Sequence, residues 1–221
     1  MSGFGVLLRK ELRVEWRRRE LLSGGLVLAF LVLLVGNLAW GDLEPASAAA
    51  PGVLWVAVVF AAVLTLGRSV HAEHDRGTWD ALAVLPLEWS TIFFAKATAN
   101  AIVLLLIEAA ALAAYALLFG QDVTGMVAGL APVFALGTIG VVAAGTLLSA
   151  VAAHGRNREI LLPLLLVPLL LPVLMMAILA TQKIFDGQAW QRFVPELELL
   201  LAFDAIYLTL GWLMFEHVVG D

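Results

Sequence analysis

Six long, mostly apolar runs, at 21–40, 51–70, 92–119, 126–153, 161–180 and 197–216, fill this chain almost from end to end. About 20 apolar residues in a helix cross the ~30 Å hydrocarbon core of a bilayer. In lipid the backbone must satisfy its own hydrogen bonds, which leaves helices and closed barrels. Barrel strands alternate apolar and polar residues, and these runs do not. The sequence therefore predicts an all-α integral membrane protein with six transmembrane helices, organised as one domain over 1–221. Apolar residues make up 62% of the 221, against roughly 45–50% in soluble domains. The spans leave no room for a separate water-soluble catalytic or nucleotide-binding domain.

The basic residues are one-sided. Arg9, Lys10, Arg13, Arg17, Arg18, Arg19, Arg68, Arg76, Lys96, Arg156 and Arg158 flank one side of the spans, and only Lys183 and Arg192 the other. The positive-inside rule makes the first side cytoplasmic and puts both termini there. The outer connections are then short, at 41–50, 120–125 and 181–196. The first apolar run exceeds a signal-peptide core of about 7–15 residues, and Glu11, Glu15 and Glu20 precede it, so it reads as a retained span. The net charge of −5 disfavours nucleic acid as a partner, and zero cysteines exclude disulfides and thiol ligands in this chain.

Within the spans a few residues stand apart. The fourth run, with Gly125 just before it, carries Gly129, Gly137, Gly140, Ala144, Gly145 and Ser149, small residues that let helix backbones approach closely. The fifth carries Pro163, Pro168 and Pro172, each expected to bend its helix. Glu108 and Asp204 lie deep in the third and sixth runs. Ionisable groups are costly there and are functional candidates by default; each is expected to be protonated or bonded across helices. Asn37 and Asn100 can bond across helices, and Lys96 can snorkel. Glu196 and Glu198 read as ordinary boundary residues.

Two segments outside the spans carry a pattern. Over residues 1–20, Phe4, Leu7, Leu8, Leu12 and Trp16 recur at helical spacing, while Arg9, Lys10, Arg13, Arg17 and Arg18 lie mostly off that face. This predicts an amphipathic helix lying flat in the cytoplasmic interface. The loop at 71–91 is the largest cytoplasmic connection. Thr78 is placed to cap a short helix whose apolar face is Trp79, Leu82, Ala83 and Leu85, ended by Pro86. Ser90 is placed to cap the third span. A short amphipathic helix below the membrane suits docking into a groove on a soluble partner.

The spacing Glu73…Gly77-Thr78…Leu85-Pro86-Leu87…Lys96 resembles the first cytoplasmic loop of type 2 ABC exporter permeases. That resemblance implies that Glu73, Arg76, Gly77, Thr78, Trp79, Leu82, Leu85 and Pro86 form a coupling helix inserted into an ATPase subunit. It also implies that the N-terminal segment with Arg9, Lys10, Glu11, Arg13, Trp16 and Arg17 is an elbow helix. Pro51-Gly52-Val53-Leu54-Trp55, with Lys10-Glu11-Leu12-Arg13, is similar to the haem exporter protein B (CcmB) family of the cytochrome c maturation system. The family motif residues here are Pro51, Gly52 and Trp55.

Membership implies a permease subunit in the bacterial inner membrane, working as a homodimer with a cytoplasmic ABC ATPase, a haem-handling membrane subunit and a haem chaperone. ATP and magnesium would bind the partner subunit, with no cofactor in this chain. The role implied is haem export or release of haem-loaded chaperone. Haem iron takes His, Met, Cys or Tyr ligands. His71, His74, His154 and His217 all map to the cytoplasmic edge, and Met175 and Met176 read as packing residues, so any haem contact is expected to be apolar or indirect. Two other readings remain: an exporter of a different substrate, or an ATP-independent transporter using Glu108 and Asp204. A membrane-embedded enzyme is disfavoured, because the chain has no His-Glu-x-x-His pair and no histidine at membrane depth.

Overall fold

A computed structural model of the chain describes residues 3–18, 20–40, 46–74, 87–153 and 158–219. Its described residues form seven α-helices and no strand: α1 (Gly3–Arg18), α2 (Glu20–Trp40), α3 (Ala46–His74), α4 (Trp89–Phe119), α5 (Val127–Ala153), α6 (Arg158–Phe185) and α7 (Val194–Val219). Helices α2 to α7 each contain a stretch long and apolar enough to cross a membrane. The protein is an integral membrane helical bundle, as the apolar runs require.

Helices α3 and α5 form the centre, with 67% and 50% of their spans buried against 22–33% for the others. Helix α2 covers α3 and α4 on one flank, and α6 and α7 cover α5 on the other. The small residues of α5 explain why it can be central. Side chains from three other helices press onto its glycines: Trp55 of α3 at Gly137, Leu66 of α3 at Gly145, Ile184 of α6 at Gly129, and Asp204 of α7 at Gly140. Shape matching of this kind holds helices together in lipid, where apolar burial gives little drive.

The helices overrun the expected spans at most ends; α3 runs from Ala46 to His74 instead of 51–70, which shortens the expected loops at 41–50 and 71–91. Helix α4 begins at Trp89, with Glu88 in the extended N-cap conformation. The Glu88 carbonyl accepts from Thr91 and Ile92 N–H, and the Ser90 hydroxyl donates to the Glu88 carboxylate. Ser90 therefore does not cap this helix. At 31 residues, α4 is about 46 Å long and outruns the hydrocarbon core by roughly 16 Å.

On the side away from Arg9 and Lys96, α6 continues to Phe185 and α7 starts at Val194. The expected loop at 181–196 thus shrinks to 186–193, including a 3₁₀ turn at Trp190–Arg192. The polar residues suggesting a loop are satisfied where they stand. Lys183 Nζ donates to Glu196 Oε1 at 2.6 Å and to the Arg192 carbonyl at 2.8 Å.

Helix α6 runs on through Pro163, Pro168 and Pro172. A proline loosens the carbonyls in the turn before it, and neighbouring helices can satisfy them. Tyr207 of α7 does so, its hydroxyl donating to the Leu169 carbonyl at 2.7 Å. Helix α4 ends at Gly120, whose left-handed conformation (φ 64°) lets its N–H return to the Ala116 carbonyl. A side chain with a Cβ resists that conformation.

Candidate functional site

The residues that bear on function fall at three depths of the bundle. The end carrying Arg9 and Lys96 is the basic end; the end carrying Lys183 is the opposite end.

Near the opposite end, Trp55 is fully buried. Its Nε1 donates to Thr181 Oγ1 at 2.9 Å, and Thr181 donates in turn to the Ala177 carbonyl at 2.8 Å. Phe134 stacks on the indole with ring centroids 5.2 Å apart, and the indole edge fills the space beside Gly137. Trp55 thus joins α3, α5 and α6. Pro51, buried, lies one turn earlier in α3 beside Gly52. Of this motif Pro51 and Trp55 are buried, while Gly52 is partly exposed with open space where a Cβ would stand.

At mid-depth lie the two carboxylates. By helical rise, Glu108 is about 16 Å from the opposite end of α4 and Asp204 about 15 Å from the same end of α7, near the midplane. Both are 2% exposed. Glu108 Oε2 accepts from Thr138 Oγ1 at 2.7 Å, while its Oε1 and both oxygens of Asp204 have no hydrogen-bond partner. Asp204 lies against the backbone at Gly140, where a Cβ would come within 2.7 Å of its Oδ1. Thr138 and Gly140 are two residues apart on α5, hence about 200° apart around the helix. Glu108 and Asp204 therefore occupy opposite sides of α5 and form no pair. The expected bond across helices is present for Glu108; Asp204 has none.

At the basic end a separate apolar cluster joins four helices: Leu7 of α1, Ile92, Phe93 and Ala95 of α4, Ala150 of α5, and Phe215 of α7. Phe93 seats directly on Gly211 of α7 and tilts against Phe215. Lys96, buried, reaches Glu11 Oε1 at 3.4 Å, and Lys10 reaches the same oxygen at 3.0 Å. Burial alone would raise the Glu11 pKa, but the ammonium groups of Lys96 and Lys10 outweigh it and hold the carboxyl below its ordinary value of 4.5.

Contact between α1 and α4 advances along both helices: Leu7 shares the cluster of Ile92, Glu11 meets Lys96, and Leu12 and Trp16 face Ile102 and Leu106 across a cleft. So α1 leans along α4 instead of lying across it at one level. The buried Lys96 holds Glu11 against the side of α4. Arg9, Arg13, Trp16 and Arg17 are exposed on α1.

Several groups were not legible from sequence. Glu196 is buried and paired with Lys183. Glu15 accepts the Leu22 N–H at 3.0 Å and so caps the first turn of α2. The expected cross-helix amides are present, Asn37 donating to the Leu118 carbonyl at 2.7 Å and Asn100 to Thr146 Oγ1 at 3.4 Å. Of the coupling segment, Glu73 falls in the last turn of α3; Arg76, Gly77, Thr78, Trp79, Leu82, Leu85 and Pro86 lie outside the described residues.

Six membrane-spanning helices around a small-residue centre, with a basic amphipathic helix packed at one end, define a multi-pass membrane protein. The sequence model of the family described as CcmB protein matches residues 3–219, and the chain belongs to that family. It is 28% identical over 218 residues, 96% of this chain and 94% of the relative, to heme exporter protein B of Bradyrhizobium diazoefficiens. It is 31% identical over 99 residues, 44% of each chain, to the protein of the same name from Escherichia coli and from Shigella flexneri.

Proposed function

We propose that the chain is the membrane permease subunit of an ABC exporter for cytochrome c biogenesis, in the bacterial inner membrane with both termini in the cytoplasm. The observation that carries this reading is the family match over nearly the whole chain, with relatives named heme exporter protein B. A separate ATPase binds ATP and magnesium, and this chain is not itself an enzyme. Two copies of the chain pair with two ATPase subunits. A haem-handling membrane subunit and a haem chaperone complete the assembly, which exports haem or releases the loaded chaperone. Haem is cargo, touched by apolar surface instead of being ligated here.

The packing supports a route for the mechanical step. The segment with Arg76, Gly77, Thr78, Trp79, Leu82, Leu85 and Pro86 docks on the ATPase, with Glu73 at its approach. It feeds into the start of α4, where Phe93 is locked to Gly211 and Phe215 of α7 and shares a cluster with Leu7 of α1. A push on the segment therefore reaches α1, α4 and α7 together, because packed interfaces transmit displacement instead of absorbing it. The same contact supports an elbow role for α1.

The partnerless carboxylate oxygens of Glu108 and Asp204 favour one competing reading, ATP-independent transport through protonatable groups. Purifying the tagged chain from its native host in mild detergent, with mass spectrometry of what accompanies it, separates the two. An ATPase and a haem-containing membrane protein are expected, with the ATPase lost on Trp79→Ala or Leu82→Ala. Recovery of the chain alone after crosslinking, with transport abolished by Glu108→Gln, would replace the exporter reading with the secondary transporter.

A further inference from the structure

Two cavities meet on α1. One, of about 460 Å³, is a shallow, open depression along α1 beside the exposed Arg9, Arg13 and Arg17, its described lining all on that helix. The other, of about 410 Å³, is an apolar cleft between α1, Leu22 of α2, and Ile102, Val103 and Leu106 of α4. Leu12 and Trp16 line both, so the two adjoin at these side chains. Each volume is within the range of small-molecule sites.

The electrostatics are one-sided: the mouth is basic, and the described lining of the cleft is apolar except for Glu15. Arg9, Arg13 and Arg17 recur every four residues and share one helix face. Like charges so spaced destabilise a helix. Among the described residues no carboxylate pairs with any of the three. Glu11 is held by Lys10 and Lys96, and Glu15, the one acid among the described residues of the cleft wall, accepts the Leu22 N–H. The α4 residues on the cleft wall belong to a membrane span, so the cleft opens beside acyl chains, not water. Trp16, half of it or more exposed, stands between the two compartments, where an amphipathic ring is favoured at a membrane interface.

We infer that this paired cavity is a binding site for one anionic phospholipid, with its phosphate on Arg9, Arg13 and Arg17 and one acyl chain in the cleft between α1 and α4. The charged mouth selects the headgroup sign, and the apolar cleft requires a tail. A bound lipid relieves the repulsion along α1 and fills the space between it and α4, holding the helix at its present tilt. The inference is independent of the transported species.

The test uses the full chain in phosphatidylcholine nanodiscs containing a minor fraction of phosphatidylglycerol, released and weighed by native mass spectrometry. One retained phosphatidylglycerol per chain is expected, in preference to phosphatidylcholine. The triple variant Arg9→Gln/Arg13→Gln/Arg17→Gln should lower that preference roughly a hundredfold, each arginine near an anionic surface adding about fivefold; the corresponding triple lysine variant should keep most of it. Phosphatidylglycerol brominated on its acyl chain should quench a fluorescence component that is absent from Trp16→Phe. Equal retention of both lipids, unchanged preference in the glutamine variant, or an unquenched Trp16 would overturn the site. So would full displacement by soluble glycerophosphate, which would leave only a phosphate site without a tail pocket.

Discussion

Replacing Gly137 by alanine tests whether α5 exists as a slot for Trp55. A Cβ at position 137 would stand 2.6 Å from Trp55 Cη2 and 2.9 Å from Cζ3, roughly 1 Å inside the optimum for carbon contacts of about 3.5–4.0 Å. The indole has nowhere to retreat, being stacked on Phe134 and bonded to Thr181. Gly137→Ala should therefore cost about 2 kcal/mol, within the usual range for overpacking. Trp55→Phe removes the outer ring atoms that reach Gly137, and should cost about 1 kcal/mol for the lost bond and the space left. Thr181 keeps its bond to the Ala177 carbonyl, so no donor is orphaned. The double variant should be no less stable than Trp55→Phe alone, a coupling of about 2 kcal/mol between touching residues. Equilibrium unfolding of the protein in bicelles by increasing dodecyl sulfate, followed by far-ultraviolet circular dichroism, measures all four forms. Additivity within about 0.5 kcal/mol would refute the slot, and Trp55 would then need a role outside packing.

Docking of α1 on α4 should depend on pH through Glu11. Its folded pKa is below 4.5, so its contribution is complete above that value and is lost as the pH falls from 4.5 through the folded pKa. A spin label on α1 should loosen in that acid range, and Glu11→Gln should remove the transition. At the opposite end, Lys183→Met should destabilise by about 1–3 kcal/mol, because it strands the buried Glu196. Glu196→Gln should cost less than about 1 kcal/mol, since Lys183 keeps the Arg192 carbonyl; the order of the two unfolding midpoints decides. Glu108→Gln preserves an acceptor for Thr138 and should unfold within about 0.5 kcal/mol of wild type, whereas Glu108→Leu should lose about 0.6–1.7 kcal/mol.

The bilayer makes some features of such a chain easy to read. A backbone that must bond to itself over about 30 Å of hydrocarbon writes its spans as apolar runs, and the glycine-rich fourth run marked a helix that others approach closely. Contacts between distant residues leave no such trace. Trp55 stood out as a family motif, but its meaning depends on Thr181, 126 residues away. Lys183 and Glu196 looked like loop residues because their charges are visible in sequence and their pairing is not. The lean of α1 on α4 was hidden for the same reason: amphipathicity fixes which face is apolar, and Glu11 with Lys96 fixes what that helix leans on. Of the coupling segment only Glu73 falls within the described residues, so its role rests on resemblance.

The bond between Glu11 and Lys96 also sets an order of events. The two residues are 85 positions apart, and at about 5–20 residues per second the second is made roughly 4–17 s after the first. Throughout that interval α1 exists without the helix it leans on. Its leucines and Trp16 have only the membrane surface to rest against, and Glu11 only Lys10. The newborn protein thus begins as a peripheral helix tethered to one span. It acquires its final tilt when α4 arrives, which makes the docking of α1 a timer for the third crossing of the membrane.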